Sequence, residues 1–388
     1  MATSRRSSWQ STPAVSHRIS AGSRSRHAIA NRPLLSLAAD NWQAALVGSG
    51  PRPTTSDQAA LDRWRAWERR EGFLRKLVLM TRGMIADGEA LALLSGDRLQ
   101  LLAIEHFSDE SRMLGDGVEL VNGLEVGADG EVVAYHIHPG RHESGQWAPA
   151  VRVDAADVVH LYRPLAPTQL RGTSWFAPAL LNANAFDQLT DALLVRARMS
   201  AALCAFIRSM EGPQIDLVQE LPTLEPGVLA RLGAGEDITF NNPTVLVENG
   251  ALASVMVRAV AAGTGLPPHL VDQDLSSANY SSLRAGLQPF RERVDQIRYA
   301  VLEPMLARLW ERVTLAEPCE WLFPAFAQVD PLKATQSDVA ELAAGLTSRR
   351  QLVAARGWDI DELNQELAAE GWKPTAPAKN EEPSEDEA

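Results

Sequence analysis

DVVHLYRPLAPTQLRGTSWFAPALLNANAF, residues 157–186, changes character halfway along. Its first part, DVVHLYRP, is a short run rich in β-branched and aromatic residues that stops at Pro164, which reads as a strand. From Ser174 onward the pattern is helical. Ser174 stands where a cap is wanted, Pro178 falls within the first turn, and Phe186, Leu189, Leu193, Ala197, Ala201 and Cys204 follow at intervals of three or four. The spacing predicts one helix over 174–209, on the order of 50–55 Å long at 1.5 Å per residue. Such a length exceeds what one small core requires. The many alanines, among them Ala183, Ala192, Ala197 and Ala201, would let neighbouring helices approach closely, so the segment reads as built for assembly.

Working outward from this switch, residues 89–163 alternate short apolar runs (EALALLSG, RLQLLAIEH, GVELVNGLEVG, EVVAYHIHP) with Gly, Asp and Asn turns and predict a compact β-rich region. Ahead of it, 56–86 carries Leu61, Trp64, Trp67, Phe73, Leu77 and Met80 at near-helical spacing, interrupted at Gly72, which predicts two helices. Residues 1–35 hold Arg5, Arg6, Arg18, Arg24, Arg26 and Arg32, and no acidic residue precedes Asp40; a flexible basic arm is expected over 1–40. Downstream, 210–249 is a proline-containing insert with strand-like pieces, and a second helix is expected over 250–266. A third helix steps through Leu283, Leu287, Phe290, Val294, Ile297, Val301, Met305 and Leu309, with bends expected at Pro289 and Pro304. Residues 331–373 read as short helices turning at Gly357, and the Pro/Glu/Asp-rich 374–388 as a disordered tail. The fold class is α+β.

Between the second and third helices lies LPPHLVDQDLSSANYSS, residues 266–282, crowded with small polar groups: Asp272, Gln273, Asp274, Ser276, Ser277, Asn279, Tyr280, Ser281 and Ser282. Taken alone it could be a catalytic loop, a metal loop or a flexible surface presented to something large. Asp272 and Asp274 have DxD spacing, but the glycine and distant glutamate of a calcium loop are missing. His136 and His138 would share one strand face with His142 nearby, without a cysteine or acidic partner at zinc-site spacing. No metal and no cofactor are expected.

The chain has 388 residues, 45% hydrophobic and 22% charged, enough for two or three cores. No run approaches 18 apolar residues, and the two cysteines, Cys204 and Cys319, lack any motif spacing. The four lysines (Lys76, Lys333, Lys373, Lys379) follow no glycine-rich turn, and there is no phosphate loop, HExxH or GxSxG, so no enzyme emerges by motif. A formal charge of −12 argues against a protein that coats nucleic acid.

Three pieces in order, 99–139, 157–181 with its RG(x)SW turn, and 258–295 with its NYSS(x)R turn, resemble the lambda-type portal proteins of tailed phages and prophages. The resemblance runs from about Trp64 to Trp321. It implies a portal fold: a wing over 56–173, a stem helix over 174–209, a small β-containing clip over 210–249, a second stem helix over 250–266, a tunnel loop over 267–282, a long wing helix and return over 283–330, and a reduced helical crown over 331–373. The function implied is a homo-oligomeric ring, typically of twelve subunits, at one capsid vertex. Double-stranded DNA passes through it in packaging and ejection, and the terminase large subunit, the major capsid protein and a head–tail adaptor are its partners, with no membrane involved. The virion is the expected location, after assembly in the host cytoplasm. The tunnel-loop residues 272–282 would then touch passing phosphates without reading bases. Arg196 and Arg198 would contact phosphates or a neighbouring subunit. The shortness of the chain leaves room for a defective prophage or a gene-transfer particle. The alternative is a metal-dependent nucleic-acid-processing enzyme with Asp272 and Asp274 as ligands.

Overall fold

The structure is a computed structural model, and it describes residues 15–115, 117–201, 205–209, 236–240, 248–276, 279–328 and 330–372. Most of the expected clip, the tail over 374–388, Cys204 and Ser277 lie outside the described residues.

The chain begins with helices α1 (Val15–Asn31) and α2 (Pro33–Val47). This corrects the flexible arm expected over 1–40 for residues 15–40; residues 1–14 lie outside the described residues. Arg26 reaches the carboxylates of Asp87 and Glu105, and Arg32 reaches Asp187 at 2.7 Å, so these two side chains are tied to the body. Along α2, Leu35, Ala38, Ala39, Trp42 and Leu46 are buried at helical spacing. After strand β1 (Arg52–Thr54) come α3 (Gln58–Glu71) and α4 (Phe73–Ala86). Asp57 caps α3 by accepting the Ala60 N–H at 3.0 Å, and Gly72, at φ +58, supplies the left-handed residue that ends it. The break read at Gly72 is therefore a helix–helix corner.

Two sheets follow. In the first, β2 (Glu89–Ser95) pairs antiparallel with β3 (Arg98–Leu102) on one side and β9 (Val158–Tyr162) on the other. The second is a five-stranded antiparallel meander of β4 (Arg112–Gly115), β5 (Val118–Val121), β6 (Leu124–Val126), β7 (Val132–Ile137) and β8 (Val151–Asp154). Its apolar face, with Val121, Leu124, Tyr135 and Ile137, packs with Leu91, Phe107 and Val158 into a small core.

The long helix is shorter than its sequence pattern. A 3-10 turn over Ala177–Ala179 leads into α5 (Leu180–Ala201), roughly 33 Å. Residues 205–209 form instead a strand, β10 (Ala205–Ser209), paired with β11 (Glu236–Phe240). AFIRS is a short apolar run that period alone cannot assign, and a strand partner decides it. The chain returns in α6 (Glu248–Thr264), which packs along α5, and continues after the polar loop in α7 (Tyr280–Ile297) and α8 (Glu303–Thr314). The helix runs on through Pro289, and the irregularity between α7 and α8 is a π turn over Arg298–Leu302, just ahead of Pro304. β12 (Glu320–Leu322) then pairs with β1. Helices α9 (Pro331–Ala343), α10 (Arg349–Ala355) and α11 (Ile360–Ala369) close the chain and fully bury no side chain.

The main core draws on α1 to α4, the first sheet, α6, α7 and α8, with Trp64 at its centre against Trp67, Phe73, Trp310 and Trp321. Among the described residues, the base of the α5–α6 hairpin joins it, through Phe176, Ala179, Ala183, Val260 and Ala261. Further out the hairpin leaves Leu194, Val195, Leu252 and Val255 exposed.

Candidate functional site

The hairpin base is set by the turn 171–175, RGTSW. Arg171 donates from Nε and Nη2 to the two carboxylate oxygens of Glu89 at 2.8 and 2.6 Å, and the Gly172 N–H adds a third bond to the same group at 3.1 Å. His160 Nε2 lies 3.0 Å from that carboxylate, and the Arg171 guanidinium stacks 3.8 Å from the Phe107 ring centroid. Burial alone would raise the Glu89 carboxyl, but the Arg171 charge and the hydrogen bonds from His160 and Arg171 outweigh it and hold the group well below the usual carboxylate range. Gly172 is required here because a Cβ would lie 2.0 Å from the Gly88 carbonyl oxygen. The Trp175 N–H donates to the Ile85 carbonyl at 3.2 Å, and its ring meets Trp42 edge-on. On the other strand of the hairpin, Gly263 lets α6 approach the 3-10 turn so closely that a Cβ would be 2.8 Å from Ala179 Cα.

The polar loop leaves from this base. Three side chains hold its entry: Trp42 Nε1 donates to Thr264 O at 2.8 Å, Arg293 Nη1 to Gly265 O at 2.6 Å, and Asn41 Nδ2 to Leu270 O at 2.6 Å. Leu266 and Val271 are buried, and a 3-10 turn over Pro268–Leu270 connects them. His269, against Gly286 of α7, is kept by burial below the usual histidine range, partly offset by Asp272. Beyond Val271 the chain turns outward, and Asp272, Gln273, Asp274, Leu275 and Ser276 are all exposed.

Those residues bond mainly to one another. Asp272 Oδ1 accepts the Asp274 N–H at 3.0 Å, and Asp274 Oδ1 accepts the Ser276 N–H at 2.9 Å; these bonds from Ser276 hold the Asp274 carboxyl below its ordinary value. Gln273 sits at φ +59. Asn279 and Ser282 form a reciprocal capping box, Ser282 N–H to Asn279 Oδ1 at 2.9 Å and Asn279 N–H to Ser282 Oγ at 3.0 Å, so Tyr280, Ser281 and Ser282 are the first turn of α7 and not loop. Arg196, half exposed, and Arg198, exposed, stand in the last turns of α5. The loop springs from the opposite end of the hairpin, so the two arginines are roughly 25 Å from it along the helix axis, and the two predicted groups do not converge. Among the described residues no group of three or more His, Cys, Asp or Glu is placed to hold a metal ion, and no helix is long and apolar enough to cross a membrane.

Sequence reasoning missed Asn41, Trp42 and Arg293 as loop anchors and Glu89 and His160 as partners of Arg171. A glutamate opening a strand that is otherwise apolar, EALALL, was the available signal.

The sequence model described as phage portal protein, lambda family, matches residues 2–298. Portal protein B of Escherichia phage lambda is 22% identical over 335 residues, which cover 68% of this chain and 61% of that protein, so the chain spans about three fifths of its relative. Among solved structures, chains from the virion of a native gene transfer agent particle and from the neck of that particle computed with C12 symmetry share the fold. Each has a TM-score of 0.54 at 17% identity, covering 91% of this chain and 93% of the other. With the family match extending over most of its length, this chain belongs to the lambda family of phage portal proteins.

Proposed function

We propose that the chain forms a ring, of twelve copies as in the C12 neck it resembles, at one capsid vertex of a phage or gene transfer agent particle, and that double-stranded DNA passes through that ring. The segment 272–276 faces the passing DNA. The observation that carries this reading is the contrast within 264–276: a base fixed by three side-chain hydrogen bonds and two buried apolar residues, followed by a tip that is exposed and, among the described residues, held by its own turns. A tip of that kind can move with a sliding polymer without disturbing the core. Between Arg258 and Arg284 there is no lysine or arginine, while Asp272 and Asp274 carry negative charge. A loop without cations gains no counterion-release affinity from phosphates and lets DNA slide. The terminase large subunit, the major capsid protein and a head–tail adaptor are the partners such a ring would take, and its role is structural. The metal-dependent enzyme is less well supported, because the Asp272 and Asp274 Oδ1 atoms already accept backbone N–H groups.

The test is twofold. Light scattering and negative-stain images of the purified chain are expected to give rings near twelve times 42.2 kDa. Deleting 274–278 is expected to leave rings intact while DNA packaging or retention falls. Loss of rings would make the segment an inter-subunit element, and unchanged packaging would remove it from the DNA path.

A further inference from the structure

A groove of about 1020 Å³ lies between α1 and the start of α5. Its lining is apolar at Ala28, Ala177 and Leu181 and carries Arg24, His27 and Arg32, of which Arg32 is paired with Asp187. The groove is preformed: Arg32 bridges its walls through Asp187 Oδ2 at 2.7 Å and Asn184 Oδ1 at 2.9 Å, so little ordering is left for binding to oppose. Leu181 is 78% exposed, although it lies five residues from the fully buried Phe176. Arg24 and His27 are exposed, and neither takes part in an ion pair among the described residues.

We infer that this groove is a docking surface for a second copy of the same chain, which inserts an acidic, apolar-faced element between α1 and α5. Charge complementarity selects the occupant. All six arginines before residue 40 lie in a segment without one carboxylate, so the rest of the chain is more acidic than the formal −12 of the whole, and like-charged copies meeting in a ring would repel unless a basic surface intervened. The apolar part of the lining sets this surface apart from one for DNA, whose phosphates call for cations on a polar face. A heterologous contact of this kind, one face of a copy against a different face of the next, is what closes a ring. The inference rests on the ring reading above and adds where the copies touch.

A photo-crosslinking phenylalanine derivative placed at position 24 of the full chain, in rings assembled from a mixture of ¹⁵N-labelled and unlabelled subunits, tests it. Crosslinked peptides carrying both isotopes are expected. Rings whose crosslinks stay within one copy, or appear only to added DNA, overturn the groove assignment and leave the ring reading standing; a chain that forms no ring overturns both. As a second arm, Arg24→Glu with His27→Glu is expected to keep the wild-type melting temperature, since both side chains are exposed, and to weaken ring assembly about tenfold or more through like-charge repulsion. Wild-type ring yield from that variant would also overturn the assignment.

Discussion

Two connections lead into long helices, and they are built in opposite ways. RGTSW, before α5, draws its hydrogen bonds from distant residues: Glu89 lies 82 positions away from Arg171 and is completely buried. DQDLSSANYSS, before α7, draws its bonds from neighbours two or three positions away, and its tip is exposed. The first connection cannot move without opening the core. The second can, because among the described residues its tip makes no contact with the core. In the ring proposed above, the first connection would hold the frame and the second would follow the passing DNA.

The contrast is broken most forcefully at Glu89. Glu89→Ala leaves the Arg171 guanidinium buried and unpaired and is expected to lower unfolding stability by about 3–5 kcal/mol in a denaturant titration; a loss below about 1 kcal/mol would mean that the junction is not the rigid partner of the pair. An effect of comparable size, spread over a pH window, comes from Asp87, which adjoins Gly88 at the back of the same junction. Burial, partly offset by Arg26 and reinforced by Glu105, raises its carboxyl to about 7. With the folded value above the unfolded one, the contribution is present below an unfolded value near 4 and is lost as pH rises toward 7. Wild-type stability relative to Asp87→Asn should therefore decline by up to about 1.4 kcal/mol per pH unit across that window and stay level above it. Parallel thermal melts of the two proteins from pH 4 to 8 check this, and a difference independent of pH would refute it.

On the loop side the effects shrink. Asn279→Ala removes the cap of α7 and should lower stability by about 1 kcal/mol. Asp272→Asn with Asp274→Asn should change stability by less than about 0.5 kcal/mol, since both residues are exposed and asparagine keeps an oxygen that can accept the same N–H. DNA retention by assembled rings should rise at low salt in that variant, and a fall would argue that the carboxylates hold, rather than repel, whatever passes.

Much of this was legible in the chain. Gly72 marked the α3–α4 corner because only a left-handed residue could end one helix and start the next, and Val271 to Ser282 was recognisable as a polar interruption. The helices at 15–47 were not, because arginine and serine dominate α1 and mask its burial, although Leu35, Ala39, Trp42 and Leu46 step correctly for α2. The end of α5 is not legible because apolar spacing continues into AFIRS, and only the pairing with 236–240 separates strand from helix. The loop residues were found by their composition. Their anchors were not, since Asn41, Trp42 and Arg293 are ordinary helix residues until the chain folds.

The pairing of β1 with β12 has a kinetic side. Arg52–Thr54 and the cage around Trp64 are completed only by Trp310, Trp321 and the strand 320–322, about 270 residues later. At ordinary synthesis rates of about 5–20 residues per second, the nascent subunit waits roughly 15 to 55 seconds with its aromatic centre open. Translation itself thus delays the moment at which a copy becomes competent to meet its neighbours, and a ribosome that stalls before residue 322 releases a chain prone to aggregate.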